Sequence, residues 1–533
     1  MKGAALWVAL ALTAVVIGLH GLRAVEAGPL WRDEAAAAGL ATMPQFHDVV
    51  RYFPHEAFPL LFPATVRAVA AITGDNDSGW RAFGLGVGVA IVGALWLNLW
   101  WLARAVPLCA LALLGFNGAF LQWGDSLRGY GMGTLFILLT IALVWRVVER
   151  PTRWRIAGAM IAAVASVQTL FHNPVLIFAI CLGGIAVALR HRSWRQAGQI
   201  LLIGAVAAAS LLPYWALLRG GRSWDVVVRT PVTLGSLLGK LTATLSASGW
   251  SNAWLWAVLF LLALVVCVAA QFGPKSALED AHRRDLLLFC GTALVVGVVG
   301  HFCFLRILSY VTRPWYYLAL LGFCGALLDV VLTLLRGRWG GCARLVLALI
   351  IAATSLPLTW EQAQVRQSNV DLVAVKLEQA SREDVIVVTP WYKGISFARY
   401  YRGAASWLTL PPVDFLRFHR FDLYQAQMAL PDPELAIAPV LEKVNETLKG
   451  GHRVWVVGPL ETAMPDPALA RAATDEQQGA EANERMASWS IRVATQLRNH
   501  ALHTERVGLE PTRAISSLED LRLSVFEGWS GSP

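Results

Sequence analysis

The chain has 533 residues, of which 56% are hydrophobic and only 15% charged, and its mean hydropathy is +0.52. So much apolar surface needs lipid to cover it, which excludes a soluble globular fold and predicts a polytopic α-helical membrane protein. The formal charge of +9 does not signal a nucleic-acid partner: from Glu361 onward 18 Lys/Arg stand against 22 Asp/Glu, so the basicity belongs to the loops of the apolar part.

A helix crossing about 30 Å of hydrocarbon needs about 20 residues. Eleven such windows are predicted, at 4–20, 82–103, 107–123, 130–147, 156–172, 174–190, 198–217, 252–270, 286–305, 314–335 and 343–359. Alternate connections are short and basic (Arg146 to Arg155, Arg190 to Arg195, Lys275 to Arg284, Arg336 to Arg344), whereas the loop at His172 carries no Lys or Arg. The positive-inside rule then places the N-terminus in the cytoplasm, and the opposite loops and the tail outside it. Lys2, the first apolar run and Ala24-Val25-Glu26-Ala27 also fit a cleavable signal peptide, which would make the span count even.

Residues 21–80 form an outer loop too polar and too rich in proline to span, with short amphipathic pieces such as Phe58 to Ile72 that suit the membrane interface. A second polar loop, Arg219 to Trp250, falls on the same face. The division expected is a membrane domain over 1–359 and an extracytoplasmic α/β domain over 360–533. In the latter, β-branched runs at Asp384 to Val388 and His452 to Val457 alternate with helical stretches at Asp371 to Glu378 and Asn483 to Leu497, which suggests a parallel core. The seven cysteines lie in or beside apolar segments without Cys-x-x-Cys spacing and read as small hydrophobes.

The polar residues of interest gather at the predicted outer face. Trp31-Arg32-Asp33-Glu34 follows the first span; adjacent acids on a helix point about 100° apart, so one can face a cavity while the other binds a neighbour or caps the helix. Gly124-Asp125-Ser126-Leu127-Arg128-Gly129-Tyr130, Phe171-His172-Asn173-Pro174 and Ser309 to Tyr317, with Arg313, lie on the same side. Together they offer carboxylates for proton transfer and guanidiniums that clamp a phosphate. In the tail, Phe397 to Gly403 and Trp407 suit either a sugar-stacking surface or domain core.

The Asp-Glu pair after the first span, His55-Glu56-Ala57-Phe58-Pro59-Leu60 in the outer loop, and Arg128-Gly129-Tyr130 opening the fourth span resemble the GT-C membrane glycosyltransferases. The branch most similar contains the protein O-mannosyltransferases and lipid A aminoarabinose transferases, the family 39 type. The resemblance is clearest over about the first 200 residues, and departs from the family where His-Pro-Pro-Leu is replaced by the looser His55 to Leu60 and where Asn173 follows His172.

It implies transfer of a sugar, with inversion, from a polyprenyl-phosphate donor to a hydroxyl on a lipid, glycan or protein acceptor. The setting implied is the outer face of a bacterial cytoplasmic (inner) membrane. Asp33 matches the catalytic aspartate and Glu34 its neighbour, while His55, Glu56, Asp125, Arg128, Tyr130, His172 and Arg313 would bind substrate. Glu34 or Asp125 would position the acceptor or a divalent cation, Mg or Mn, although no ligand set is evident. The rivals are a transporter or flippase of lipid-linked sugars, against which the charge-poor spans and the lack of a repeat argue, and a non-catalytic assembly partner.

Overall fold

The computed structural model describes residues 2–56, 58–215, 232–272, 278–309, 312–335, 338–461 and 480–531. The membrane part runs through α1 (Lys2–Glu26), α2 (Arg32–Ala41), α3 (Phe46–Tyr52), α4 (Leu61–Thr73), α5 (Asp77–Ala103), α6 (Cys109–Gly115), α7 (Gly118–Gly124) and α8 (Gly129–Glu149). It continues through α9 (Arg153–Val167), α10 (Asn173–Arg190), α11 (Trp194–Ala209), α12 (Leu234–Leu245), α13 (Trp250–Phe272), α14 (Leu278–Leu308), α15 (Leu318–Thr333) and α16 (Arg338–Ala363). Among the described residues nine helices are long and apolar enough to cross a membrane, and each falls on a predicted window.

The two other windows take a different form. Residues 107–123 are broken into α6 and α7 because Asn117 leaves the helix: its side chain accepts from Phe120 N at 2.8 Å, capping α7, and donates to Thr244 O at 3.0 Å. A Cβ on the next residue, Gly118, would collide with the Gln362 side chain, so the break also lets α16 approach. The 156–172 window is the 15-residue α9, about 22 Å long.

Both segments nevertheless carry the chain from one end of the bundle to the other. At the far end Leu108 N, before α6, donates to Asp329 Oδ2 at 2.9 Å, and Arg155 in α9 donates to Arg146 O at 2.9 Å. At the near end Asp125, after α7, meets His20 of α1 at 2.6 Å, and His172, after α9, packs on Tyr316 at 4.8 Å. The expected interfacial piece at Phe58 to Ile72 is α4. Of the second polar loop, α12 is described; residues 216–231 lie outside the described residues, as do Ala57, Tyr310 and Val311 of the predicted clusters.

The tail contains α17 (Val370–Leu377), β1 (Val385–Val388), α18 (Gly394–Tyr400), β2 (Ser406–Thr409), α19 (Phe421–Met428), α20 (Pro433–Lys449), β3 (Val454–Val457), α21 (Ala480–His500), β4 (His503–Val507) and β5 (Leu523–Glu527). The sheet order is β2-β1-β3-β5-β4. Strand β1 is parallel to both neighbours, with Val385 opposite Ser406 and Val454, and the apolar runs of β1 and β3 are buried along their length, as a sheet covered on both faces requires. Strand β5 adds antiparallel to β3, and the exposed, polar β4 (HTERV) forms the edge.

This sheet unit is fastened to the connection between α1 and α5. Gln367 N donates to Ala27 O (2.8 Å), Arg32 N to Glu519 Oε2 (2.6 Å) and Leu30 N to the Tyr400 hydroxyl (2.7 Å). Tyr400 in turn donates to Asp77 Oδ2 at 2.6 Å, and Arg399 pairs with Asp75 at 2.8 Å. In the predicted aromatic cluster, Phe397 stacks on Tyr401 and meets Trp407 edge-on within the domain core, while Arg399 and Tyr400 serve the seam.

Candidate active site

Helix α2 begins directly after Trp31, with Asp33 and Glu34 in its first turn, where the positive end of the helix dipole favours acids, followed by an alanine run of high helix propensity. Both acids are buried, at 2% and 0% exposure, and they point apart as their spacing requires. Glu34 turns into the bundle. Its Oε1 accepts from Arg81 Nη1 at 2.8 Å and from Leu127 N at 2.9 Å. The other arm of Arg81 holds Gly28 O at 3.0 Å and Pro29 O at 2.8 Å, so Glu34 locks the α1–α2 connection onto the starts of α5 and α8.

Asp33 faces the seam with the sheet unit. Its backbone oxygen accepts from Arg128 Nη1 at 3.0 Å, and its Oδ1 lies 3.3 Å from Arg32 Nε and 3.6 Å from His419 Nε2. Glu56 completes the ring: Oε2 accepts from Arg128 Nη1 at 2.7 Å, and Oε1 is 2.8 Å from His419 Nδ1 and accepts from His419 N at 3.2 Å. Burial alone would raise the Glu56 pKa, but the charge and hydrogen bonds of His419 and Arg128 outweigh it and bring the carboxyl down to about 2. Burial opposes the charge of Arg128 in turn, and the adjacent Asp33 and Glu56 more than restore it, so the guanidinium stays charged. Its Nε makes no hydrogen bond among the described residues.

Beside this ring stands an aromatic wall. Trp31 packs against Trp123 (5.5 Å between ring centroids) and Trp315 (5.7 Å), and Tyr130 against Phe58 (5.3 Å) and Tyr316 (6.1 Å). Tyr316 lies within electrostatic reach of Arg128, Arg313 and Asp33 together. His172 stands against Tyr316 and Phe304. His55 sits at the rim, 3.9 Å from Asp422 and packed on Tyr52 and Phe418.

The structure thus brings Asp33, Glu56, Arg128, Tyr130, His172 and Arg313 around one region, with His55 beside it. Asp125 goes elsewhere: it lies behind Glu34, bonded to His20. Glu34 and Asp125, the carboxylates expected to hold a divalent ion, are turned to basic partners and make no oxygen ligand set with each other. Among the described residues no group of three or more His, Cys, Asp or Glu is placed to hold a metal ion. Three participants were not singled out from the sequence. Arg81 reads as the start of a span and His20 as part of one, although an ionisable group inside an apolar run is itself a signal. His419, in Phe418-His419-Arg420-Phe421, carries no motif.

No protein-family model and no curated protein sequence matches the chain. Solved structures do. ArnT from Cupriavidus metallidurans in the apo state superimposes with a TM-score of 0.52 at 13% identity, covering 89% of this chain and 95% of that one. The same enzyme bound to undecaprenyl phosphate gives 0.49 at 13% identity over 87% and 94%. The archaeal oligosaccharyltransferase AglB from Archaeoglobus fulgidus, in complex with an inhibitory peptide and a dolichol-phosphate, gives 0.48 at 12% identity over 92% and 72%. Over most of its length the chain therefore shares the fold of ArnT from Cupriavidus metallidurans.

Proposed function

We propose that the protein transfers a glycosyl group from a polyprenyl-phosphate donor to an acceptor hydroxyl at the non-cytoplasmic face of the membrane, with inversion. The observation that carries this reading is the placement, on a GT-C fold, of a buried carboxylate, Asp33, within electrostatic reach of the Arg128 guanidinium, which also donates to the Asp33 backbone oxygen, at one end of the bundle. Asp33 takes the proton of the acceptor hydroxyl as its oxygen attacks the anomeric carbon from the face opposite the carrier. The bond from that carbon to the phosphate oxygen breaks, and the lipid phosphate leaves as an anion that needs no strong acid. Arg128, through the edge that Glu56 does not occupy, and Arg313 stabilise the charge developing on it. The wall of Tyr130, Tyr316 and Trp315 suits the apolar face of a sugar ring.

The far end of the bundle supports the outer-face reading. There Arg146, Arg150, Arg153 and Arg155 cluster at the turn between α8 and α9, and Arg190, Arg192 and Arg195 at the turn between α10 and α11. These basic turns support the reading that this end faces the cytoplasm and the Asp33 end the outside. Soluble nucleotide sugars are cytoplasmic and too polar to cross, so an outer site takes a sugar already on a lipid.

Protein reconstituted in vesicles and offered a panel of polyprenyl-phosphate hexoses and pentoses is expected to turn over one of them and to ignore the matching nucleotide sugar. Arg128→Ala should weaken use of the lipid donor. Robust transfer from a nucleotide sugar without any lipid carrier would contradict the reading.

A further inference from the structure

His419 is 363 positions from Glu56 in sequence, yet it stands between the two carboxylates of the site. It is 4% exposed, its Nδ1 is 2.8 Å from Glu56 Oε1, and its Nε2 is 3.6 Å from Asp33 Oδ1 with no hydrogen bond among the described residues. Glu56 stands as an acceptor-only carboxylate, its Oε2 accepting from Arg128 Nη1 and its Oε1 from the His419 backbone N. Nδ1 must therefore carry a hydrogen, and Nε2 is left as the atom that gains or loses a proton toward Asp33. The ring is fixed in this direction by packing: Phe421 stacks on it at 5.5 Å and 8°, and Trp391 meets it edge-on. Beyond the two carboxylates, the charged groups facing this centre among the described residues include Arg128 behind Glu56, Arg32 behind Asp33, and Arg420 with Asp422 next along its own chain; His55, Tyr130 and Tyr316 are further titratable groups nearby.

We infer that His419, supplied by the sheet unit, is the positioning and proton-exchange partner of Asp33, so that the catalytic site is complete only while that unit is docked. The inference rests on Asp33 being the base. In the step, the acceptor O–H bond breaks and an Asp33 O–H bond forms. That bond then breaks as an N–H bond forms at His419 Nε2, giving an imidazolium between Asp33 and Glu56; as the products leave, the Nε2–H bond breaks and the proton passes to entering water, so that Asp33 and His419 are both restored before the next acceptor binds.

The test compares His419→Gln, whose amide reaches the Nε2 position but cannot exchange a proton, with His419→Asn, whose amide reaches only the Nδ1 position, and with Asp33→Asn. In full-length reconstituted protein, both histidine variants are expected to lose about 10²-fold in kcat, the usual worth of a proton-transfer group. The KM for the polyprenyl-phosphate donor should stay within about threefold. The pH profile of the residual His419→Gln turnover should lose an ionisation that the wild type shows. Wild-type kcat and an unchanged pH profile in His419→Gln, with Asp33→Asn inactive, would overturn this inference alone; full activity of Asp33→Asn would overturn the base assignment beneath it. Should the histidine variants fail to fold, Glu56→Gln releases the ring and is expected to alter the same pH profile, and an unaltered profile would count against the inference.

Discussion

The two ends of the bundle each bury an acid against an arginine, and they use the pair differently. At the far end both oxygens of Asp329 are bonded: Oδ1 accepts from Arg344 Nε at 2.7 Å, and Oδ2 from Leu108 N at 2.9 Å and Ala110 N at 3.0 Å, while Arg344 also holds Val106 O. The result is a capped start for α6 and a closed junction with α16. At the near end, among the described residues, buried polar atoms of Glu34, Arg128 and His419 are left over after the internal bonds are made. Desolvating a polar atom without a partner is costly, so a native fold that keeps several of them side by side keeps them for something that arrives later. A structural ion pair is saturated; a site holds bonding capacity in reserve.

Breaking the saturated pair should therefore cost stability and nothing else. Arg344→Met strands the Asp329 charge in the bundle and is expected to destabilise by about 3–5 kcal/mol, read by thermal unfolding in detergent, with turnover per folded molecule unchanged. A fall in turnover at equal folded fraction would erase the distinction between the ends.

Acid should loosen the near end. The Glu56 pKa lies at about 2 in the fold against an ordinary 4.5, so its contribution is fully present above pH 4.5 and is lost as pH falls from there toward 2. Hydrogen exchange around His419 and Phe421 should rise across that window, and in Glu56→Gln the rise across it should be absent. An identical rise in Glu56→Gln would mean that another group controls the seam. The smallest effect is expected for Arg146→Ala. Its pair with Glu149, 2.6 Å apart, is about a fifth exposed, and losing it should change stability by no more than about 0.5 kcal/mol.

How much of this was legible in the sequence depends on how local each signal is. Nine spans were readable because length and apolarity are properties of one segment. The break at Asn117 was not, since Thr244 and Gln362 are what make leaving the helix favourable there. In the tail, the buried runs of β1 and β3 stood out, whereas β4 and β2, partly exposed edges of the sheet, left no apolar run to read. Asp33, Glu34 and Arg128 were visible because charges beside apolar spans are conspicuous. The sequence could say that Asp33 and Glu34 point apart but not which faces the seam; Arg81 and Leu127 decide that by claiming Glu34. His419 reaches the site only through docking of the sheet unit, a long-range arrangement with no trace in its neighbours along the chain.

In the proposed reaction Asp33 is the group that takes the acceptor's proton. Asp33→Asn keeps the size and polarity of the side chain and removes the base. Turnover of the purified, reconstituted variant with its polyprenyl-phosphate donor should fall by about 10²-fold or more, with the unfolding temperature close to that of the wild type. Near-normal turnover in a folded Asp33→Asn protein would contradict the account.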